Sequence, residues 1–350
     1  MTEGSDKTHL RKGWTTGACA TAATKAAFEA LQSGDFPDPV AISLPKGEMP
    51  SFPLHRKTLE EGIATASVIK DAGDDPDVTH GAEIVASVRW GTLGSGVIFK
   101  AGEGVGTATL PGLPIGVGEP AINPSPRKMM EAVVEGDVEI TIAIPNGEKL
   151  AAKTMNPRLG IVGGLSVLGT TGVVVPYSCS AWIHAIQSGV DVARAQGLKH
   201  IAACTGSTSE ALLRSELNLP DCAYIDMGDF VGGLLKYLRK NPAPKLTLGG
   251  GFAKLVKLAQ GAADLHSKRS SVDFLFLGIC LDELNAPALA EKAREANTAA
   301  QVLTMAQEAG VSLGDFIAQK AKESALSMLD GQTEIEVVAV DRQGEVAGRA

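Results

Sequence analysis

Aromatic residues are scarce, 4% of a 350-residue chain that holds 40 glycines. Cores of stacked rings are therefore excluded, and the interior must be built from Ala, Val, Leu and Ile with frequent turns, a composition suited to alternating helices and strands. Positive charge is in deficit as well, since 32 Lys and Arg against 40 Asp and Glu leave a net charge of -8. Such a surface has no general affinity for nucleic acid or an anionic membrane, and neither is expected as a partner. An anionic small molecule is still allowed where basic residues gather locally. The five cysteines, Cys19, Cys179, Cys204, Cys222 and Cys280, are scattered, odd in number and without a CxxC pair, which argues against a disulfide framework and for a reducing compartment. No run approaches the roughly 20 apolar residues of a membrane helix, and the opening MTEGSDKTHLRKGW lacks a signal peptide's apolar segment. A cytoplasmic protein is expected. Also missing are GxGxxG, a P-loop, GxSxG and any HxxxH or paired His/Cys spacing, so no dinucleotide fingerprint, no esterase nucleophile and no metal site are read here.

The length exceeds what one core usually serves, so more than one domain is expected. Ala18, Ala20, Ala22, Ala23, Ala26, Ala27 and Ala30 make residues 17–31 a helix, with Thr15 or Thr16 as its N-cap. Val40 to Leu44, Gly62 to Lys70, Glu83 to Trp90 and Val138 to Ile144 read as strands, with one helix over Pro126 to Glu135. Residues 1–155 are thus an α+β domain. Within it the segment from Gly102 to Pro126 is too rich in Gly and Pro for regular structure and reads as an ordered functional loop. After residue 155 short apolar runs at Leu198 to Ala203, Cys222 to Ile225, Lys245 to Leu248 and Val272 to Leu277 alternate with amphipathic helices. Residues 156–290 are accordingly an α/β domain, Rossmann-like with a largely parallel sheet. Residues 291–350 form a helical segment and a terminal strand, Glu334 to Val340, that could return to complete the first domain.

Ligands of open α/β sheets sit at the carboxyl ends of the strands, which here are rich in glycine and polar residues. A first strand is taken to end in Gly163 and Gly164, leading on to Gly169, Thr170, Thr171 and Gly172; a second ends in Thr205, Gly206 and Ser207, a third in Asp226 and Gly228 followed by Asp229, and a fourth in Gly249 to Gly251. Glycines let backbone amides approach a ligand and carboxylates accept from ribose hydroxyls, so a nucleoside-bearing cofactor is expected there. Any one such cluster could equally be a plain turn. Lys12, Lys25, Arg127, Arg158 and Lys254 stand near the special loops and could clamp carboxylates. The helix start at Thr15, Thr16 and Gly17 offers backbone amides to an anion. His266 and Ser267 lie in a loop between a helix and a supposed strand, on a side of the sheet left open, and an ordinary loop histidine competes with a functional one.

Several blocks together resemble the CbiD family of cobalamin biosynthesis. They are Leu10 to Ala27 (LRKGWTTGACATAATKAA), Gly104 to Gly106 through Pro111 to Leu113 and Gly118 to Pro124, Asn156 to Gly164 with Leu168 to Gly172, and Lys254 to Ala259 with His266 and Ser267. One departure is Gly251-Phe252-Ala253-Lys254, where the family more often has a Gly-Lys pair. The resemblance implies a cobalt-precorrin-5B C1-methyltransferase that uses S-adenosylmethionine to give cobalt-precorrin-6A. On that basis Lys12, Thr15, Thr16, Gly17, Lys25, Arg127, Arg158, Lys254, His266 and Ser267 are expected to meet the tetrapyrrole, and the strand-end residues the cofactor. Methyl transfer from a sulfonium needs alignment more than acid-base chemistry, so Thr15, Thr16 and His266 are positioning candidates and no catalytic group is named. The competing reading is a carrier that hands on a tetrapyrrole unchanged. An NAD-type oxidoreductase is disfavoured by the missing fingerprint. Oligomeric state, a homo-oligomer included, is not encoded in any of these motifs.

Overall fold

The alanine-rich run carries small residues around most of its circumference, with charge only at Lys25 and Glu29, and a helix of that kind belongs in a core. In the computed structural model, which describes residues 10–329 and 331–350, β1 (Gly13–Trp14) leads into this helix, α1 (Thr16–Ser33). Thr15 caps it, its Oγ1 accepting from the Ala18 amide at 3.1 Å, and Gly34 ends it in the left-handed conformation. The seven alanines named above are all fully buried. A short arm of β2 (Val40–Ala41) and β3 (Ser51–Phe52) follows, then β4 (Arg56–Glu60), β5 (Ile63–Ile69), β6 (Glu83–Trp90) and β7 (Val97–Ala101). Next come β8 (Thr107–Ala108), α2 (Pro124–Glu131), β9 (Val138–Ala143), α3 (Gly147–Ala151), β10 (Ile161–Val162) and β11 (Val173–Val174). The sheet order is β4-β5-β6-β9-β7, antiparallel except for the parallel β7/β9 pair. α1 packs on β5 and β6, where Ala64, Ala66 and Ala86 are buried. Small residues on both surfaces bring helix and sheet close, which is why so few aromatics suffice.

This unit runs to Cys179, and residues 180–350 form the other. The expected boundary after residue 155 is corrected because Ile161, Leu165 and Val167 are buried in the first unit's cores. The supposed first strand of the parallel sheet is corrected too. It is β10, paired antiparallel with β8 inside the first unit. Gly102 to Pro126 is a packed layer, with β8 and Ile115 sharing a small core with Ala121 and Ile161.

In the second unit α4 (Cys179–Ala195), β12 (His200–Cys204), α5 (Ser207–Leu217), β13 (Tyr224–Asp226), α6 (Val231–Lys240), β14 (Lys245–Gly251) and α7 (Phe252–Ala259) alternate as the apolar runs foretell. Then α8 (Phe274–Glu283), α9 (Pro287–Arg294), α10 (Ala299–Glu308) and α11 (Leu313–Ser327) lead to β15 (Glu334–Val340) and β16 (Val346–Arg349). The run Val272 to Leu277 is not a strand, since from Phe274 on it is the first turn of α8. Its first turn is fixed by Asp273, whose carboxylate accepts from the Leu275 amide at 2.8 Å, and a short apolar run cannot by its period alone separate a strand from a buried helix. The terminal strand does not return to the first unit. β15 lies parallel to β14, Lys245 opposite Glu334 through Gly251 opposite Val340, and β16 closes the edge antiparallel. The order β13-β12-β14-β15-β16 reverses between β12 and β14. Helices α4, α6, α7 and α11 bury Ile201, Leu246, Leu248 and Val337 on one face, while α5 covers Ala202, Cys204 and Val338 on the other. No described helix is long and apolar enough to cross a membrane.

One polar group is set deep in the first unit. Lys70 is 1% exposed, and its Nζ donates to Asp77 Oδ2 at 2.5 Å. Burial alone would raise the Asp77 carboxyl, but the Lys70 charge and hydrogen bond outweigh it and hold the group below its ordinary value. A depressed carboxyl stabilises the fold above its unfolded value near pH ~4 and loses that contribution as pH falls through the folded value. Asp77→Asn is expected to cost about 3 kcal/mol at pH 7, because it strands a buried ammonium, and to flatten the acid limb of stability. Urea unfolding between pH 3 and 7 checks both; equal acid limbs in the two proteins would refute the assignment.

Candidate functional site

At the start of α1 the amides offered to an anion are largely engaged by the chain itself. The Gly17 amide donates to Leu168 O and the Thr15 amide to Gly172 O, both at 2.9 Å, while Ala18 is taken by the Thr15 cap. Thr16 is buried. Cys19, one turn on, is no nucleophile, since burial pushes its thiol up to about 12. Lys25 Nζ donates to Ala41 O at 2.8 Å and pairs with Glu29. Arg127 braces the Gly/Pro layer, donating to Ile122 O at 2.9 Å and Glu119 Oε2 at 2.8 Å, with its guanidinium over the Phe99 ring. Arg158 is half-buried. Lys12 is exposed beside α1.

The glycines divide by what a side chain would meet. A Cβ at Gly164 would lie 2.2 Å from Gly104 O, one at Gly169 2.2 Å from Thr15 Oγ1, one at Gly172 2.5 Å from Leu44 and one at Gly17 2.7 Å from Pro126. Gly163 has φ +86°. These positions, with Thr170 and Thr171 between them, serve chain crossings and turns in the first unit. The strand before them, β10, belongs to a small antiparallel pair and not to the parallel sheet, which corrects the reading of Gly163 to Gly172 as a strand end of that sheet.

Gly206 and Gly251 are of another kind. Each would meet nothing within 4 Å, and neither has a backbone that demands glycine, with φ 164° and -59°. Both line an open groove of about 970 Å³ at the carboxyl edge of the second sheet, together with Thr205, Ser207, Thr298 and Arg342. This is where the strand order reverses between β12 and β14, the place an open α/β sheet offers a ligand. Lys254 also lines it, with Nζ donating to Thr205 O at 2.7 Å and lying 3.1 Å from Asp229 Oδ1, close enough for an ion pair though not aligned as a hydrogen bond.

Asp226 and Gly228 stand at the end of β13, outside the groove lining. Asp226 Oδ1 accepts from the Gly228 amide at 3.2 Å, and Gly228 has the Trp182 ring against it. The loop of His266 and Ser267 joins two helices, and it packs on the carboxyl side. Leu265 N donates to Asp229 O and Gly232 N to Ala263 O, each at 2.8 Å, and the buried Lys257 Nζ holds Leu265 O at 2.9 Å. Both side chains are exposed, and His266 Nδ1 accepts from the Lys268 amide. Thr298, Arg342 and Gln343 were not anticipated. For Arg342 and Gln343 the signal was the strand Glu334 to Val340, whose direction in the sheet decides where residues 341–343 go.

The CbiD family model matches residues 3–176, and that of the CbiD C-terminal domain residues 264–350. Cobalt-precorrin-5B C(1)-methyltransferase of Brucella anthropi is 56% identical over 98% of this chain and 96% of its own, and that of Paramagnetospirillum magneticum 55% over 99% of both. The chain belongs to the CbiD family. A crystal structure of the cobalamin biosynthesis protein cbiD from Archaeoglobus fulgidus is 28% identical, with a TM-score of 0.40 over 74% of this chain and 83% of that one.

For this CbiD member the two kinds of glycine should separate in experiment. Gly164→Ala is expected to cost about 3 kcal/mol through overpacking against Gly104. Gly206→Ala and Gly251→Ala should each cost under about 1 kcal/mol, the scale of an N-cap change, while lowering ligand affinity. Chemical denaturation of the three variants checks the order, and a Gly206→Ala protein as unstable as Gly164→Ala would refute it.

Proposed function

We propose that the protein methylates C1 of cobalt-precorrin-5B to give cobalt-precorrin-6A in cobalamin biosynthesis, with S-adenosylmethionine as donor. The observation that carries this is the 55–56% identity, along 98–99% of the chain, with enzymes bearing the name of that activity. Bound S-adenosylmethionine supplies an electrophilic methyl group on a sulfonium. The groove of the second unit fits such a group. Gly206 and Gly251 leave room for close backbone approach, and Thr205 and Ser207 offer hydroxyls at the strand end. Asp226 and Gly228 extend this surface along the same sheet edge. Lys12 and Arg158 are assigned to the tetrapyrrole's carboxylates, where a flexible ammonium and a planar fork both serve. Thr15, Thr16 and Gly17 contribute by fixing the α1 start rather than by proton transfer. His266 and Ser267, exposed on a loop anchored to Asp229, stay available to orient substrate. Since displacement at a sulfonium needs no general base, the chain's task is alignment and exclusion of water.

Purified protein given cobalt-precorrin-5B and methyl-deuterated S-adenosylmethionine should yield a tetrapyrrole heavier by one labelled methyl, placed on C1 by NMR. Tetrapyrrole binding with no mass gain would replace the enzyme by a carrier.

A further inference from the structure

Three helices begin at the groove of the second unit: α5 at Ser207, α7 at Phe252 and α10 at Ala299. The first turn of any helix leaves backbone N–H groups without intrahelical acceptors and carries partial positive charge. At α5 and α7 the capping positions are Gly206 and Gly251, and neither helix has a side-chain cap. At α10 Thr298 caps only the Gln301 amide, at 3.2 Å. Two uncapped helix starts and one partly capped one thus share a single opening.

Helix starts alone would be unremarkable, but two side chains add to them. Thr205 is 5% exposed and lines the groove. Its methyl group faces Gly250, to judge from the 3.1 Å a Cβ there would leave to Cγ2, and its hydroxyl has no hydrogen-bond partner among the described residues. The hydroxyl is not sealed off, because the buried polar side-chain atoms without a partner among those residues are Thr24 Oγ1 and Asp229 Oδ1, so it stands open on the groove with its donor unused. Arg342, just past β15, is exposed on the groove with no ion pair among the described residues. The carboxylate beside it, Asp341, is turned to its own hairpin, with Oδ1 accepting from the Gln343 and Glu345 amides at 2.8 and 2.9 Å. Lys254 is already held by Thr205 O and Asp229.

We infer that this groove is an anion site that grips a carboxylate, with the amides of α5, α7 and α10 below it, the Thr205 hydroxyl donating from the wall and Arg342 closing on it as a bidentate fork. The inference rests on the proposed methyl transfer for its choice of ligand. Two sources present a carboxylate there, the amino-acid end of the methyl donor and the acidic side chains of the tetrapyrrole.

Arg342→Ala in the full chain tests it, the site being exposed enough that folding is not at issue. Isothermal titration would use S-adenosylhomocysteine and 5′-methylthioadenosine, which keeps the nucleoside but lacks the carboxylate. If the donor occupies the site, the variant binds S-adenosylhomocysteine about tenfold more weakly, the loss of one charge-assisted contact, and binds 5′-methylthioadenosine as wild type does. If the tetrapyrrole occupies it, S-adenosylhomocysteine binding is unchanged and KM for cobalt-precorrin-5B rises about tenfold. Arg342→Lys should recover part of either loss. An active Arg342→Ala enzyme with both constants within about twofold of wild type overturns the anion site and leaves methyl transfer standing. Were the wild-type protein inactive with this donor, methyl transfer would fall, and inorganic sulfate would still probe the groove. A larger rise in Tm for wild type than for Arg342→Ala supports the site, and equal rises overturn it.

Discussion

The parallel pairing of β15 on β14 is the constraint on which the second unit's site depends. Strand direction decides which end of a strand meets the carboxyl edge, and with Gly251 opposite Val340 the residues that follow both strands emerge together. Reversed, β15 would carry Asp341 and Arg342 to the far edge, next to His200 and Lys245. A parallel neighbour requires a long crossover, and here it is the whole run from α7 to α11. Part of that run, the start of α10 at Thr298, returns to the same groove. The crossover that topology demands thus also delivers the third helix start.

In the first unit the governing constraint is steric. α1 lies against β5 and β6 at a distance set by alanine on both surfaces, and its first turn is tied to residues 168–172 by two backbone hydrogen bonds. Gly164 lies where its main chain crosses that of Gly104, and Gly17 and Gly169 press on the Pro126 ring and the Thr15 side chain, so none of the three has room for a side chain. A segment so hemmed in reads, in one dimension, like a binding motif, because ligand approach and backbone approach both select glycine. Only the neighbours of each Cβ direction tell them apart, and these come from elements far off in sequence.

What was legible in the sequence follows from this. Periodic segments such as β6, β12 and β15, and the cap at Thr15, are local properties and stand where the residues put them. The carboxyl-end placement of Thr205, Gly206 and Ser207 was legible too, because β12 is flanked by unmistakable helices. Arg342 was not, since its role depends on which sheet β15 joins, and an alternating apolar pattern fixes a strand's faces without naming its partner. Val272 to Leu277 failed for want of length, and the boundary after residue 155 failed because Ile161 to Val167 is apolar and glycine-flanked in the manner of a strand opening a new domain. Lys25, Arg127 and Lys254 are basic residues near special loops, as read, but their charges are held by carbonyl oxygens and carboxylates of the chain.

A protein with a net charge of -8 that is to bind a carboxylate ligand has to create attraction locally. Side-chain cations do this poorly when each already neutralises a neighbour, as Lys254 does Asp229 and Arg127 does Glu119. Backbone dipoles need no countercharge, and they fall off within a helical turn. Gathering the starts of α5, α7 and α10 on one groove makes a short-range positive site without altering the acidic surface, and leaving glycine at two of the caps keeps those amides for a ligand instead of a side chain. Specificity then falls to the few groups with direction, the Thr205 hydroxyl and the Arg342 fork, which is why a single exposed arginine can discriminate in a pocket made mostly of backbone.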